Sequence, residues 1–284
     1  MGDASEFIQT VGNLPAMPLV AMRVLNFDEN DSRNGAELAR IVGADPALSA
    51  RLIKVSNSAY YGFSRRLATV REAVLVIGFR QVRQIVLGAA LMDTWKRIVP
   101  CEGFDTDVFW EHSLMVAMAA ETAARIAGEG RPEEAFTAGI LHDMGLLAML
   151  VGDRNRMVAA IRGARAGMPV IEAERKVFGF GHAEAGEALA GHWNFPEALV
   201  TAIGRHHDEG IGRTEGLPGM VALGVRISSA NGLFGGYRDE AVEFDDEEMA
   251  EVVHACGGFD GLTTRARAFV ESVAGLPRRD RAAA

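Results

Sequence analysis

The residues of this chain best equipped for chemistry are its histidines and the carboxylates beside them, and they lie in its second part. Histidines stand at positions 112, 142, 182, 192, 206, 207 and 254, and none precedes residue 112. The sharpest local feature is Leu141-His142-Asp143-Met144-Gly145, a polar pair set among Ala138, Ile140, Leu141, Leu146 and Leu147. Burying an imidazole and a carboxylate in such surroundings is costly unless each finds a partner. His112 lies in Phe109-Trp110-Glu111-His112-Ser113, His182 in Gly181-His182-Ala183-Glu184, and His206 and His207 are adjacent, followed by Asp208. Imidazole nitrogens and carboxylate oxygens suit divalent Fe, Mn or Zn. The expected donors are therefore His112, His142, Asp143, His182, His206 and His207, delivered by four helical segments converging in a bundle core. Taken singly, a buried histidine is more often a hydrogen-bonded core residue than a ligand. His206 and His207 near a helix end can also interact with the helix dipole without any ion. His192 and His254 carry no signal beyond that; the order of the other histidines is what favours a metal.

Helices must position these side chains. From Val70 to Trp95 the apolar residues Val74, Ile77, Val82, Ile85, Val86, Ala89 and Leu91 recur mostly three and four apart. That spacing predicts one helix, or two joined at Gly78. Residues 109–127, 132–151, 155–167, 182–193 and 196–206 show the same period, which places the His142-Asp143 pair inside a helix. Hairpin signals are scarce, and Gly and Pro fall mostly between periodic segments. The expected fold is all-α, a multi-helix bundle. Residues 1–105 form an N-terminal helical half ending near Ile98-Val99-Pro100-Cys101, 106–235 the histidine-bearing half, and 236–284 an acidic loop and C-terminal helices.

Composition narrows the function classes. The 284 residues carry 29 Lys plus Arg against 38 Asp plus Glu, a formal net charge of −9. An acidic balance argues against sequence-independent DNA binding, which rests on a basic face. Arg80 and Arg83 share a helical face in Phe79-Arg80-Gln81-Val82-Arg83 and are expected as solvated surface; a nucleic-acid regulator is the third functional reading. Cys101 and Cys256 are far apart and read as reduced thiols of a cytoplasmic protein. The acidic start Met1-Gly2-Asp3-Ala4-Ser5-Glu6 is unlike a signal peptide, and no apolar run is expected to reach the ~18 residues of a membrane span. No membrane partner is expected.

Further motifs occupy the histidine-free half. They are Leu14-Pro15-Ala16-Met17-Pro18, Asp45-Pro46-Ala47-Leu48, Leu52-Ile53-Lys54-Val55-Ser56-Asn57-Ser58-Ala59-Tyr60-Tyr61-Gly62 and Ala73-Val74-Leu75-Val76-Ile77-Gly78. Together with Phe109 to Ser113, Gly139 to Gly145, Trp193-Asn194-Phe195-Pro196 and His206-His207, they resemble the HDOD domain (HD-related output domain), within the HD superfamily of metal-dependent phosphohydrolases. The likeness spans about residues 8–235 and implies an HD-like helical core preceded by an N-terminal helical subdomain. Read from the residues alone, the N-terminal motifs are structural. Asp45 can cap a helix starting at Pro46, Asn57 and Ser58 can serve backbone where that helix stops, and Tyr60, Tyr61 and Phe63 can bury aromatic area.

The chain departs from the active HD pattern at three places. The related HD-GYP phosphodiesterases carry Ile-Gly-Lys after the His-Asp pair, whereas here Met144-Gly145 is followed by Leu146. No Gly-Tyr-Pro follows His206-His207. The late aspartate ligand of HD enzymes aligns at or near Ser228 or Ser229, and a neutral hydroxyl is a poor substitute for a carboxylate on a hard divalent cation. The resemblance therefore implies a non-catalytic signal-transduction output module of bacterial type, with a degenerate metal site, acting on a signalling protein in trans or a small ligand. The alternative is a metal-dependent phosphohydrolase acting on a nucleotide or cyclic dinucleotide, with the six donors above as its ligands.

Overall fold

The computed structural model describes residues 3–12, 14–27, 34–57, 65–95, 101–128, 132–208, 211, 216–235 and 247–274. Every regular element among them is a helix: α1 Ala4–Thr10, α2 Leu19–Leu25, α3 Asn34–Gly43, α4 Pro46–Ser56, α5 Val70–Ile77, α6 Phe79–Trp95, α7 Thr106–Ala127, α8 Pro132–Leu141, α9 Met144–Gly152, α10 Arg154–Arg165, α11 Val170–Phe178, α12 His182–His192, α13 Glu197–Arg205, α14 Gly216–Ala230, α15 Glu247–Ala255 and α16 Gly258–Ala274. The chain forms two compact units. One comprises Met1–Ala16 and Ile98–Thr263, the other Met17–Arg97 and Thr264–Ala284.

In the Met17–Arg97 unit, helix boundaries follow local side-chain chemistry. Asp45 accepts from the backbone N–H of Ala47 and Leu48 at 2.9 and 3.0 Å, with Pro46 in the first turn of α4. Thr69 and Glu72 form a capping box at the start of α5. The stripe from Val70 to Trp95 divides into α5 and α6 at Gly78. Asn57 ends α4: its Nδ2 donates to the carbonyls of Ile53 and Leu67, and its Oδ1 accepts from Leu67 N–H, each at 2.8 Å. Residues 58–64, with Ser58, Tyr60, Tyr61, Gly62 and Phe63, lie outside the described residues, as do 96–100 and 236–246. Arg83 is buried, not solvated; its Nε donates to Val24 O at 3.0 Å, closing the end of α2. The arginine stays inside because those last carbonyls need donors.

The histidine-bearing unit is organised around α7, which packs on α8 and α14. Leu114, Met115, Val116, Ala119, Ala120 and Ala123 on α7 are fully buried. A helix apolar around most of its circumference must be enclosed in this way, and each large side chain so buried contributes roughly 1.5–3 kcal/mol. The N-terminal helix α1 belongs here too, lying against α9 and α12, with Phe7 stacked edge-on to Phe178 and tilted on Phe180.

The helix expected over 132–151 is broken in two. α8 stops at Leu141, His142 and Asp143 form a turn, and α9 starts at Met144. The ring Nδ1 of His142 takes the carbonyl of Gly139 at 2.7 Å, an acceptor of the last turn of α8. By length and composition alone Pro132–Gly152, 21 residues, is apolar enough to cross a membrane, but 89% of its most apolar window is buried inside the protein.

Candidate metal centre

All six expected residues meet in one cluster. His112 comes from mid-α7, His142 and Asp143 from the α8–α9 turn, His182 from the first position of α12, and His206 and His207 from the end of α13. Helices α9 and α12 come together at Gly145, where a Cβ would run into the carbonyl of His182. A larger residue there would push the His142-Asp143 turn away from His182.

Each buried imidazole is held from its outer nitrogen. Nδ1 of His142 bonds Gly139 O at 2.7 Å, and Nδ1 of His206 bonds Ile203 O at 2.6 Å. Nδ1 of His112 bonds Leu233 O at 3.1 Å and lies 2.9 Å from Ser228 Oγ. Nδ1 of His182 lies 2.8 and 3.0 Å from the two oxygens of Glu174. Carbonyls and carboxylates only accept, so every one of these Nδ1 atoms carries the hydrogen. In the neutral ring, Nε2 is then left as a lone pair, the state a metal ligand needs.

The Nε2 atoms converge on Asp143. Its Oδ2 lies 3.3 Å from Nε2 of both His112 and His142, and its Oδ1 lies 3.2 Å from Nε2 of His182 and 3.6 Å from that of His206. The carboxylate thus divides the cluster into a His112–His142 side and a His182–His206–His207 side. Nε2 atoms approach one another at 3.1 Å for His112 and His142, 2.9 Å for His182 and His207, and 3.3 Å for His206 and His182. Lone pairs repel at such distances unless a proton or a cation lies between them. The spacings equal the edges expected around an ion with metal–nitrogen bonds of about 2.0–2.1 Å. The donor chemistry therefore fits a divalent transition metal. His207 is exposed while the other five residues are buried, so the cluster meets solvent on the His207 side.

The electrostatics place one proton-borne charge in the cluster, on His182, opposite the Asp143 carboxylate. Burial pushes His112 below its ordinary pKa and His206 down to about 4. Burial opposes charge on His182 too, but Glu174 and Asp143 on either side outweigh it and push that pKa up to about 10. Burial likewise opposes charge on Asp143, and His142 and His182 nonetheless hold its carboxyl well below the usual carboxylate range. A cation binding here displaces the proton on His182.

Residues beyond the six contribute. Glu174 is fully buried and carries no motif; the available signal is its position four residues from both Val170 and Phe178, on the inner face of α11. Ser228 meets His112 at Nδ1, behind the ring, and presents only a hydroxyl. Asp208, next to His207, pairs instead with Arg205 at 2.6 Å. Glu209 and residues 239–246 fall outside the described residues. His192 and His254 are exposed at the ends of α12 and α15.

Comparison with known proteins places these features in a family. The HDOD domain matches residues 14–209. The crystal structure of an HDOD domain protein of unknown function from Geobacter sulfurreducens is 25% identical, with a TM-score of 0.78 over 95% of this chain and 96% of that one. A Shewanella amazonensis SB2B protein provisionally named a phosphohydrolase is 24% identical, with a TM-score of 0.71 over 96% and 98% of the two chains. An uncharacterized protein of Treponema pallidum (strain Nichols) is 23% identical over 209 residues; the match takes in 72% of this chain and only 40% of that relative's length. With its helical architecture and a match over most of its length, the chain belongs to the HDOD domain family.

Proposed function

We propose that this HDOD protein is a metal-binding signal-output module that does not hydrolyse phosphoesters. The observation that carries the reading is the cluster itself: Nε2 atoms directed at Asp143, with the outer nitrogens of His112, His142, His182 and His206 all tied down. His112, His142, Asp143, His182, His206 and His207 would hold divalent Fe, Mn or Zn. Metal held on the two sides of Asp143 would supply charge and would cross-link α7, the α8–α9 turn, α12 and α13. Glu174 and the carbonyls of Gly139, Ile203 and Leu233 orient the rings, and His182 gives up its proton on loading. Hydrolysis would further require a group to handle phosphate and a full set of carboxylates. Here Leu146 stands where the related phosphodiesterases have lysine, and Ser228 offers a hydroxyl behind His112. The module would act by binding a protein partner or a small ligand.

A second reading, a phosphohydrolase acting on a nucleotide or cyclic dinucleotide, is favoured by one observation. The exposed His207 leaves the cluster open to solvent. One experiment separates the two. Protein purified without chelator or affinity metal is analysed by elemental mass spectrometry alongside His142→Ala and Asp143→Ala, and each is screened for turnover of nucleotides and cyclic dinucleotides. Bound Fe, Mn or Zn in wild type only, with no turnover, is the expected result. Turnover abolished by Asp143→Ala establishes the hydrolase. Folded wild type that takes up none of these ions reduces the histidines to a hydrogen-bonded core.

A further inference from the structure

The segment after α14 passes over the cluster. Leu233 N–H bonds back to Ser228 O at 3.0 Å and Gly232 N–H to Ser229 O at 2.9 Å, a Schellman-type turn with Gly232 at φ +73°. This reversal brings Leu233 O onto His112 Nδ1 and carries Gly235 against Asp143. A Cβ at Gly235 would lie 2.6 Å from Asp143 Oδ2 and 2.9 Å from Leu146 Cδ1. Gly235 is not in the left-handed region, so glycine is required here for space and not for backbone conformation.

Two atoms would have to yield to that Cβ, and they differ in freedom. Leu146 Cδ1 is the tip of a flexible side chain. Asp143 Oδ2 is hemmed in, with Nε2 of His112 and His142 each at 3.3 Å and the other oxygen 3.2 Å from His182 Nε2. An oxygen so placed can move only by displacing imidazoles.

We infer that Gly235 is a positioning residue of the metal centre: its missing side chain leaves Asp143 Oδ2 room to accept an ion on the His112–His142 side. The inference rests on the metal-binding reading and adds that the α14 exit segment forms the wall of the site. It also makes the size of residue 235 a control on loading that leaves the identity of all six donors unchanged.

The test is Gly235→Ala. Full-length wild type and variant, freed of metal by dialysis against chelator, are titrated with Co2+ and followed by calorimetry and by the visible cobalt spectrum. Affinity for Co2+ on the His112–His142 side is expected to fall about tenfold or more, with a changed spectrum and with binding retained on the His182–His206–His207 side. Unchanged affinity and spectrum overturn the inference and leave the metal reading intact. Wild type that binds no Co2+ overturns both. A metal-free thermal-melting cycle covers a poorly folding variant. The loss in midpoint caused by Gly235→Ala should shrink or vanish in an Asp143→Ala background, where the struck oxygen is gone. An equal loss in both backgrounds assigns the clash to Leu146 and overturns the inference.

Discussion

Glu174 grips His182 at two points. Its Oε2 accepts from the backbone N–H and from the ring Nδ1–H of His182, each at 2.8 Å, leaving Nε2 aimed at Asp143. Glu174→Ala leaves both donors buried and unmatched, a cost of about 2–4 kcal/mol. Chemical unfolding in EDTA should show that loss, and metal titration a roughly 10–100-fold drop in affinity. Glu174→Gln keeps one acceptor and should fall between. Wild-type affinity in Glu174→Ala would show that the helix start alone orients His182.

In metal-free protein the histidines pull stability in opposite directions with pH. His206 has a folded pKa of about 4, below its ordinary value, so the unfolded chain takes up a proton that the folded chain resists. Stability therefore falls as pH drops from about 6.5 towards 4, and His112 acts in the same sense. His182, raised to about 10, contributes stability that is complete below about 6.5 and is lost as pH rises through 10. Denaturation in EDTA across pH 4.5–9.5 should show a maximum near neutrality, with losses of order 1–3 kcal/mol on each flank. A steady rise to pH 9.5 would mean that His182 is not proton-bound between its two carboxylates.

Ser228 tests whether the missing carboxylate can be restored. Its side chain faces Nδ1 of His112 and is fully buried. Ser228→Asp should set a charge behind the ring without adding a ligand, destabilising the fold by about 1–3 kcal/mol. It should confer no nucleotide turnover. Turnover gained in that variant would show that residue 228 reaches the ion directly.

Asn57 should matter to folding alone. Its three hydrogen bonds join the end of α4 to Leu67, and Asn57→Ala should cost about 1–3 kcal/mol. Metal content should not change, because no donor of the cluster touches it. Loss of metal from a folded Asn57→Ala protein would connect this motif to the site.

The six cluster residues were legible in sequence because imidazoles and a carboxylate inside apolar helical patterns stand out against their surroundings. Helix positions were legible for the same reason of period, and the Asp45 cap from its neighbour Pro46. What stayed hidden depends on individual hydrogen bonds, some local and some to distant chain. The turn at His142-Asp143 arises when a side chain competes for the carbonyl of Gly139. Arg83 is inside because α2 ends beside it, and Glu174 because α12 begins there. Gly235 carries no signal in sequence, since nothing in its neighbours announces Asp143.

The donors extend from His112 on α7 to His207 beyond α13, about half of the chain of their unit. An ion held by them works as a staple whose loops are long, and the entropy of closing a loop grows only slowly with its length. Loading should therefore make these helices open together. Amides in α7, α9, α12 and α13 that exchange with solvent at separate rates in the empty protein should converge on one slow rate when the ion is bound.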